Sequence, residues 1–173
     1  MTTPPSKVLL IGYGNPGRRD DGLGPAVAAA IEKENLPGVT VDADYQLTVE
    51  DAAMVAEYDV VVFADADCAR EEPFYFDRLA PGDAASFTSH SASPGGVLAL
   101  ARKLFGAHTD AYVLGIRGYE FNEFGEGLTA RARINLGAAL AFLQPVLLRR
   151  TFSDAAGVPA GAPASAAAVN EES

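Results

Sequence analysis

Two neighbouring aspartates in a glycine-rich turn are the residues of this chain best placed to do chemistry. They lie in Gly12-Tyr13-Gly14-Asn15-Pro16-Gly17-Arg18-Arg19-Asp20-Asp21-Gly22-Leu23-Gly24-Pro25. A turn of this kind between a first strand and a first helix normally cradles a phosphate, through free backbone N–H groups and the positive end of the helix dipole. Here it carries Asp20 and Asp21. Two unit charges about 5 Å apart repel by roughly 3 kcal/mol at an effective dielectric near 20, so the spot suits a cation better than a nucleotide. Two other segments carry matching groups. Asp65 follows an apolar run in Ala64-Asp65-Ala66-Asp67, and His90 sits in Thr88-Ser89-His90-Ser91-Ala92-Ser93-Pro94 before a helix pattern. Ligands of open α/β sheets bind outside the C-terminal ends of the strands, where Asp21, Asp65 and His90 are expected to converge. Two carboxylates and an imidazole would make an open site for a borderline divalent metal such as nickel or zinc.

Each residue also has a plainer reading. Asp21 could cap a helix, Asp65 could receive the N–H groups of a turn, and a lone His before a helix is often a capping or surface residue. Gly12, Gly14 and Gly17 satisfy G-x-G-x-x-G, with Asp42 or Asp44 placed as a ribose-binding acid. Against dinucleotide binding, Pro16 removes a donor from the loop and the two carboxylates oppose a pyrophosphate. His108 reads as a loop residue and Cys68 as a partly buried small hydrophobe. No Ser-His-Asp or Cys-His arrangement is apparent.

The elements that must position these groups alternate. Lys7 to Ile11 reads as a buried strand, followed by a helix starting between Gly22 and Pro25 and running to about Lys33. Val39 to Val41 is a short strand, and Thr48 is the expected N-cap of a helix through Glu57. Val60 to Ala64 is a continuous apolar run, as in a central strand buried on both faces. Phe74 to Leu79 and Ala84 to Thr88 are weaker strands at an edge. Ser93-Pro94 opens a helix with Pro94 at its first position and Val97, Leu100, Ala101 and Leu104 on one face. Tyr112 to Ile116 is another buried strand. A last helix spans about Thr129 to Leu148; Gly137, Ala138 and Ala139 would allow close approach, and Pro145 should kink or end it near Gln144. The order predicts a three-layer α/β sandwich, a mostly parallel twisted sheet flanked by helices.

At 173 residues the chain has the size of one domain, assigned to residues 1–152. From Ser153 to Ser173 the composition is mostly Ala, Gly, Pro and Ser, and a disordered tail is expected. Hydrophobic residues make up 49% and charged residues 21%, ordinary for a soluble globular protein. The net charge of −10 argues against a nucleic-acid surface. No apolar run reaches membrane-spanning length and Met1 to Lys7 lacks a signal-peptide core, so a cytoplasmic location is expected; the chain is also expected to be a monomer. The single cysteine excludes an intrachain disulfide and a thiolate metal cage.

Taken together, the motifs resemble a known family. Gly12-Tyr13-Gly14-Asn15 with Asp20-Asp21-Gly22-Leu23-Gly24-Pro25 is similar to the N-terminal motif of the nickel–iron hydrogenase maturation endopeptidases. The strand ending at Asp65-Ala66, the Ser89-His90 segment and Gly125-Glu126-Gly127-Leu128-Thr129 resemble that family's later motifs, in the same order. The resemblance covers roughly Val8 to Leu148, and its specificity lies in the ordered set. It implies a peptidase that removes the C-terminal extension of the hydrogenase large-subunit precursor after nickel insertion. It also implies that Asp21, Asp65 and His90 are the catalytic and metal-contacting residues, and that the nickel is carried by the precursor. Many family members have Glu where this chain has Asp21, and Asp67 is near enough to Asp65 to compete for its role. Tyr45 to Glu50 and His90 to Pro94 resemble the subgroup serving soluble, NAD(P)-linked hydrogenases. Metal-assisted and aspartic-type hydrolysis are both compatible with these residues.

Two other functions compete. Peptidyl-tRNA hydrolases also carry a Gly-Asn-Pro-Gly turn, but follow it with a His-Asn pair where this chain has Asp20-Asp21, and the acidic charge disfavours tRNA. A non-catalytic nickel-binding maturation chaperone would use the same three residues as the peptidase.

Overall fold

The computed structural model describes residues 4–82 and 92–158. The strands are β1 (Val8–Tyr13), β2 (Val39–Asp44), β3 (Val60–Asp67), β4 (Phe74–Leu79) and β5 (Asp110–Arg117). The helices are α1 (Leu23–Glu34), α2 (Glu50–Val55), α3 (Pro94–Phe105), α4 (Ala130–Arg149) and the single turn α5 (Phe152–Ala155). A 3-10 turn over Arg19–Gly22 precedes α1. The sheet order is β2-β1-β3-β5-β4. All pairs are parallel except β4 on β5, which is antiparallel and forms an edge. The expected three-layer sandwich is therefore what forms.

Strand periodicity of two divides the core in two. Val8, Leu10, Val62, Leu114 and Phe76 face Leu23, Val27, Ile31 and Leu143 of α1 and α4. Leu9, Ile11, Val61 and Phe63 face Ala52 and Val55 of α2 and Val97, Leu98 and Ala101 of α3. Val8 to Ile11 of β1 and Val60 to Ala64 of β3 are apolar at every position because both of their faces are covered.

The glycines around the first turn serve packing. A Cβ on Gly24 would lie 2.3 Å from the Tyr13 carbonyl oxygen and 2.5 Å from that of Ala64. One on Gly12 would lie 2.2 Å from the Gly24 oxygen. Helix α1 thus rests directly on the C-terminal ends of β1 and β3, closer than any side chain permits.

Several local expectations change in the folded chain. Helix α2 is shorter, and Thr48 is not its side-chain cap: the Asp51 carboxylate accepts the Thr48 N–H at 2.7 Å instead. Leu104 is 63% exposed, and Leu98 is buried in its place. Gly137 is exposed with no heavy atom near its missing Cβ, whereas Ala139 is buried. Pro145 does not end α4; burial of Leu143, Val146 and Leu147 holds the last turns together against a cost of about 3 kcal/mol for an interior proline. Cys68 is exposed. Beyond Ser153 the chain does not turn structureless at once. Phe152 is buried and stacks on Tyr112 at 5.5 Å, and the Gly157 N–H reaches the Phe76 carbonyl at 2.8 Å. Residues 159–173 and the Ala84 to Thr88 strand expectation lie outside the described residues. No helix among the described residues is long and apolar enough to cross a membrane.

Gly24→Ala should lower stability by about 3 kcal/mol, because backbone on two strands must move to admit one methyl group. Urea unfolding followed by circular dichroism measures this.

Candidate active site

The chain crosses from β2, on one side of β1, to β3 on the other, and the sheet's switch point lies between β1 and β3. Ligands of open α/β folds bind beside such a point, outside the C-terminal strand ends. The candidate residues are delivered there by the turn after β1 and by the last residues of β3.

The two aspartates of that turn have different tasks. Asp20 is fully buried. Its Oδ1 accepts the Thr129 N–H at 2.8 Å, and its Oδ2 accepts the N–H groups of Tyr119 and Glu120 and the Thr129 hydroxyl at 2.8, 3.1 and 2.9 Å. Burial alone would raise its pKa, but these donors together hold the carboxyl below its usual range. Asp20 is a clamp between the first turn and the loop from β5 to α4, and is not free to meet a cation. That corrects the expectation of two adjacent carboxylates facing one ligand.

Asp21 is not the cap of α1 either; that position is Gly22, without a side-chain bond. The Asp21 Oδ2 accepts the Asn15 N–H at 2.8 Å, six residues back along the turn. Folding back this tightly requires Gly14, whose φ is 142° and whose Cβ would lie 2.0 Å from the Asp21 carbonyl oxygen. The glycine-rich turn therefore places a carboxylate where phosphate-binding folds place free N–H groups.

Asp65 and Asp67 both lie near the end of β3, and their surroundings separate them. The Asp67 Oδ1 accepts the Ala69 and Arg70 N–H groups, each at 2.8 Å, and these donors outweigh burial to hold its carboxyl below the usual range. Asp67 is the turn-forming residue. Among the described residues, Asp65 accepts one backbone N–H, that of Ala66, at 2.8 Å. Burial pushes its pKa up to about 6, with the charges of Asp21 and Asp67 adding to the shift and the Tyr13 hydroxyl opposing it. Asp21 and Asp65 thus lie at the ends of β1's turn and of β3, on the two sides of the switch point, near enough for the charge of one to act on the other. His90 lies outside the described residues. Among the described residues, no three His, Cys, Asp or Glu side chains gather closely enough to hold a metal ion. His108 is an exposed loop residue.

Tyr13 and Tyr75 are neighbours of the site that the sequence motifs did not single out. The Tyr13 phenol is partly buried beside Asp65; burial first, then Asp65, raises its pKa above the usual phenol range. Alternation along β1 already places Tyr13 on the face of Leu9 and Ile11, so this signal was present in the sequence. Nothing in the sequence pointed to Tyr75, because its place depends on the antiparallel register of β4 on β5.

Two consequences follow for stability. Asp20→Asn puts an amide among donors and should cost about 3 kcal/mol at pH 7. Since the folded-state pKa is lowered, the wild-type contribution is complete above the ordinary carboxylate pKa and lost as pH falls through the folded value. The Asn variant should therefore differ from wild type at pH 7 and approach it in acid, as read by urea midpoints across pH. Asp65 has the opposite sign. Its unfolded carboxyl ionises near pH 4 and its folded one near pH 6, so ionisation costs stability increasingly over that window and fully above it. Asp65→Asn should be more stable than wild type by about 1–3 kcal/mol at pH 7 and equal to it at pH 4.

No protein-family model matches the chain, and no curated protein shows significant similarity to it in sequence. Solved structures do match. An endopeptidase from Escherichia coli superposes with a TM-score of 0.66 at 23% identity, over 84% of this chain and 94% of that one. The NiFe hydrogenase maturation protease HycI from Thermococcus kodakarensis gives 0.63 at 21% identity, over 83% and 94%. The hydrogenase maturating endopeptidase HybD from Escherichia coli gives 0.61 at 21% identity, over 83% and 93%. The α/β sandwich of this chain is thus the fold found in hydrogenase maturation endopeptidases.

Proposed function

We propose that this chain is an endopeptidase that removes the C-terminal extension of a nickel–iron hydrogenase large-subunit precursor after nickel insertion. The observation that carries this reading is the placement of Asp21, in the turn after β1, and Asp65, near the end of β3, on the two sides of the β1/β3 switch point, in a fold shared with solved maturation peptidases. The ordered sequence motifs from Gly12 to Thr129 add to it.

In this reading the nickel is part of the substrate. Asp21, Asp65 and His90 contact it and so bring the adjoining peptide bond to the strand ends. Carboxylate oxygens and an imidazole nitrogen are suitable donors for a borderline divalent ion. Asp65, with a proton affinity raised toward neutrality, also suits general-base work near pH 7. The protein partner is the precursor, and the enzyme acts as a cytoplasmic monomer.

The test is cleavage of purified nickel-loaded precursor, read as a mass loss. His90→Ala and Asp21→Asn should each slow cleavage by about 100-fold or more, with thermal transitions near wild type. Cys68→Ser should cleave normally, and precursor lacking nickel should stay intact. Normal processing by the Asp21 and His90 variants would sink the site assignment. Nickel binding without any cleavage would favour a chaperone.

A further inference from the structure

One row of residues crosses the whole sheet at its C-terminal edge. Tyr13 pairs in register with Asp44 of β2. On its other side Gly12 pairs with Ala64, which sets Tyr13 beside Asp65 of β3. Asp65 pairs with Gly115 of β5, and Gly115 with Tyr75 of β4. Residues opposite one another share a face, so Tyr13, Asp65, Gly115 and Tyr75 all lie on the side covered by α2 and α3.

Gly115 is the gap in this row. A Cβ there would lie 2.1 Å from Cε1 of Tyr75, 2.2 Å from its Cζ and 2.6 Å from its hydroxyl oxygen. The Tyr75 ring therefore lies flat across β5, with its hydroxyl end directed toward β3. The Arg70 guanidinium covers the ring at 3.7 Å from its centroid and is itself fixed by Asp77 at 2.9 Å. The register thus sets Tyr13 next to Asp65 on one side of β3, and the Tyr75 ring on the other, where its hydroxyl acts electrostatically on Asp67. A strand interior loses stability at glycine, and a ring laid over it gives Gly115 a reason to be there.

We propose that Tyr13 and Tyr75 are positioning residues of the peptidase site, bracketing the end of β3 so that Asp65 meets the substrate in one fixed orientation. Tyr13 acts on Asp65 directly, from the β1 side. Tyr75 acts from the β5 side, through Asp67 and by filling the space over Gly115. This rests on the peptidase reading above. Among the described residues the Asp65 carboxylate has one backbone donor, which leaves its rotation to be set by its side-chain neighbours, and misplacement by about 1 Å can cost up to 10²-fold in rate.

Steady-state cleavage of the nickel-loaded precursor by the full chain tests this, with a thermal transition recorded for each variant. Tyr13→Phe should lower kcat about tenfold or more, leaving KM within about twofold and the transition unchanged. Gly115→Ala should displace the Tyr75 ring and lower kcat as Tyr75→Ala does. The double variant should be no slower than Tyr75→Ala alone, because removing the ring removes the clash. Wild-type kcat in both Tyr13→Phe and Tyr75→Ala would overturn the proposal, as would losses confined to KM or matched by lost stability. Additive losses in the double variant would overturn the part assigned to Gly115 and Tyr75. A wild-type chain that leaves the precursor uncut would bring down the peptidase reading and this proposal with it, a result distinct from active wild type with indifferent tyrosine variants.

Discussion

The buried carboxylate of Asp20 is the interaction on which the arrangement around the site depends. Residues far apart in sequence, the turn after β1 and the loop before α4, meet through the donors of Tyr119, Glu120 and Thr129. Backbone pairing reinforces the junction: Arg19 and Asp20 donate to Gly125 and Glu120, and Gly125 donates to Gly17. Thr129 then caps α4 by accepting the Ala132 N–H. One ionised group thereby fixes the turn that carries Asp21 and the start of the longest helix. A buried charge is tolerable only when its hydrogen bonds are complete, and here they are supplied by groups that would otherwise need partners of their own.

The second organising constraint is steric. Three glycines let the chain pass closer to itself than side chains allow: Gly12 and Gly24 seat α1 on β1 and β3, and Gly14 admits the return of Asp21. A pattern that in other folds opens a phosphate cradle is used here to compress a helix onto a sheet and to place a carboxylate at the switch point. Strands β1 and β3 are apolar on both faces until their C-terminal ends, where the alternation continues with Tyr13 and Asp65 in place of Ile11 and Phe63. The polar row is thus an extension of the core pattern into the region the helices no longer seal. Burial without full pairing at Asp65 costs stability, and such costs concentrate where a protein performs chemistry.

Much of the fold was legible in the sequence because hydrophobic period and end signals act locally. The runs at Val60 to Ala64 and Tyr112 to Ile116, the Ser93-Pro94 helix start and the strand–helix alternation all follow from residue size, polarity and backbone restriction. The same local chemistry singled out Asp21 and Asp65. What it could not decide was partnership. Asp20 and Asp21 are adjacent and identical in type, yet one clamps a distant loop and the other folds back on its own turn, because the donors that distinguish them come from residues about a hundred positions away. Asp65 and Asp67 share a strand end, and only the turn N–H groups of Ala69 and Arg70 assign the latter to structure. Pro145 lies inside a helix because the core beyond it outweighs its lost bond. Tyr75 reaches the site because β4 runs antiparallel beside a glycine of β5. Composition and periodicity determine which elements form and which faces they bury. Long-range register and hydrogen-bond partners decide which of several equivalent polar groups is left to act, since those energies exist only once distant segments are in contact.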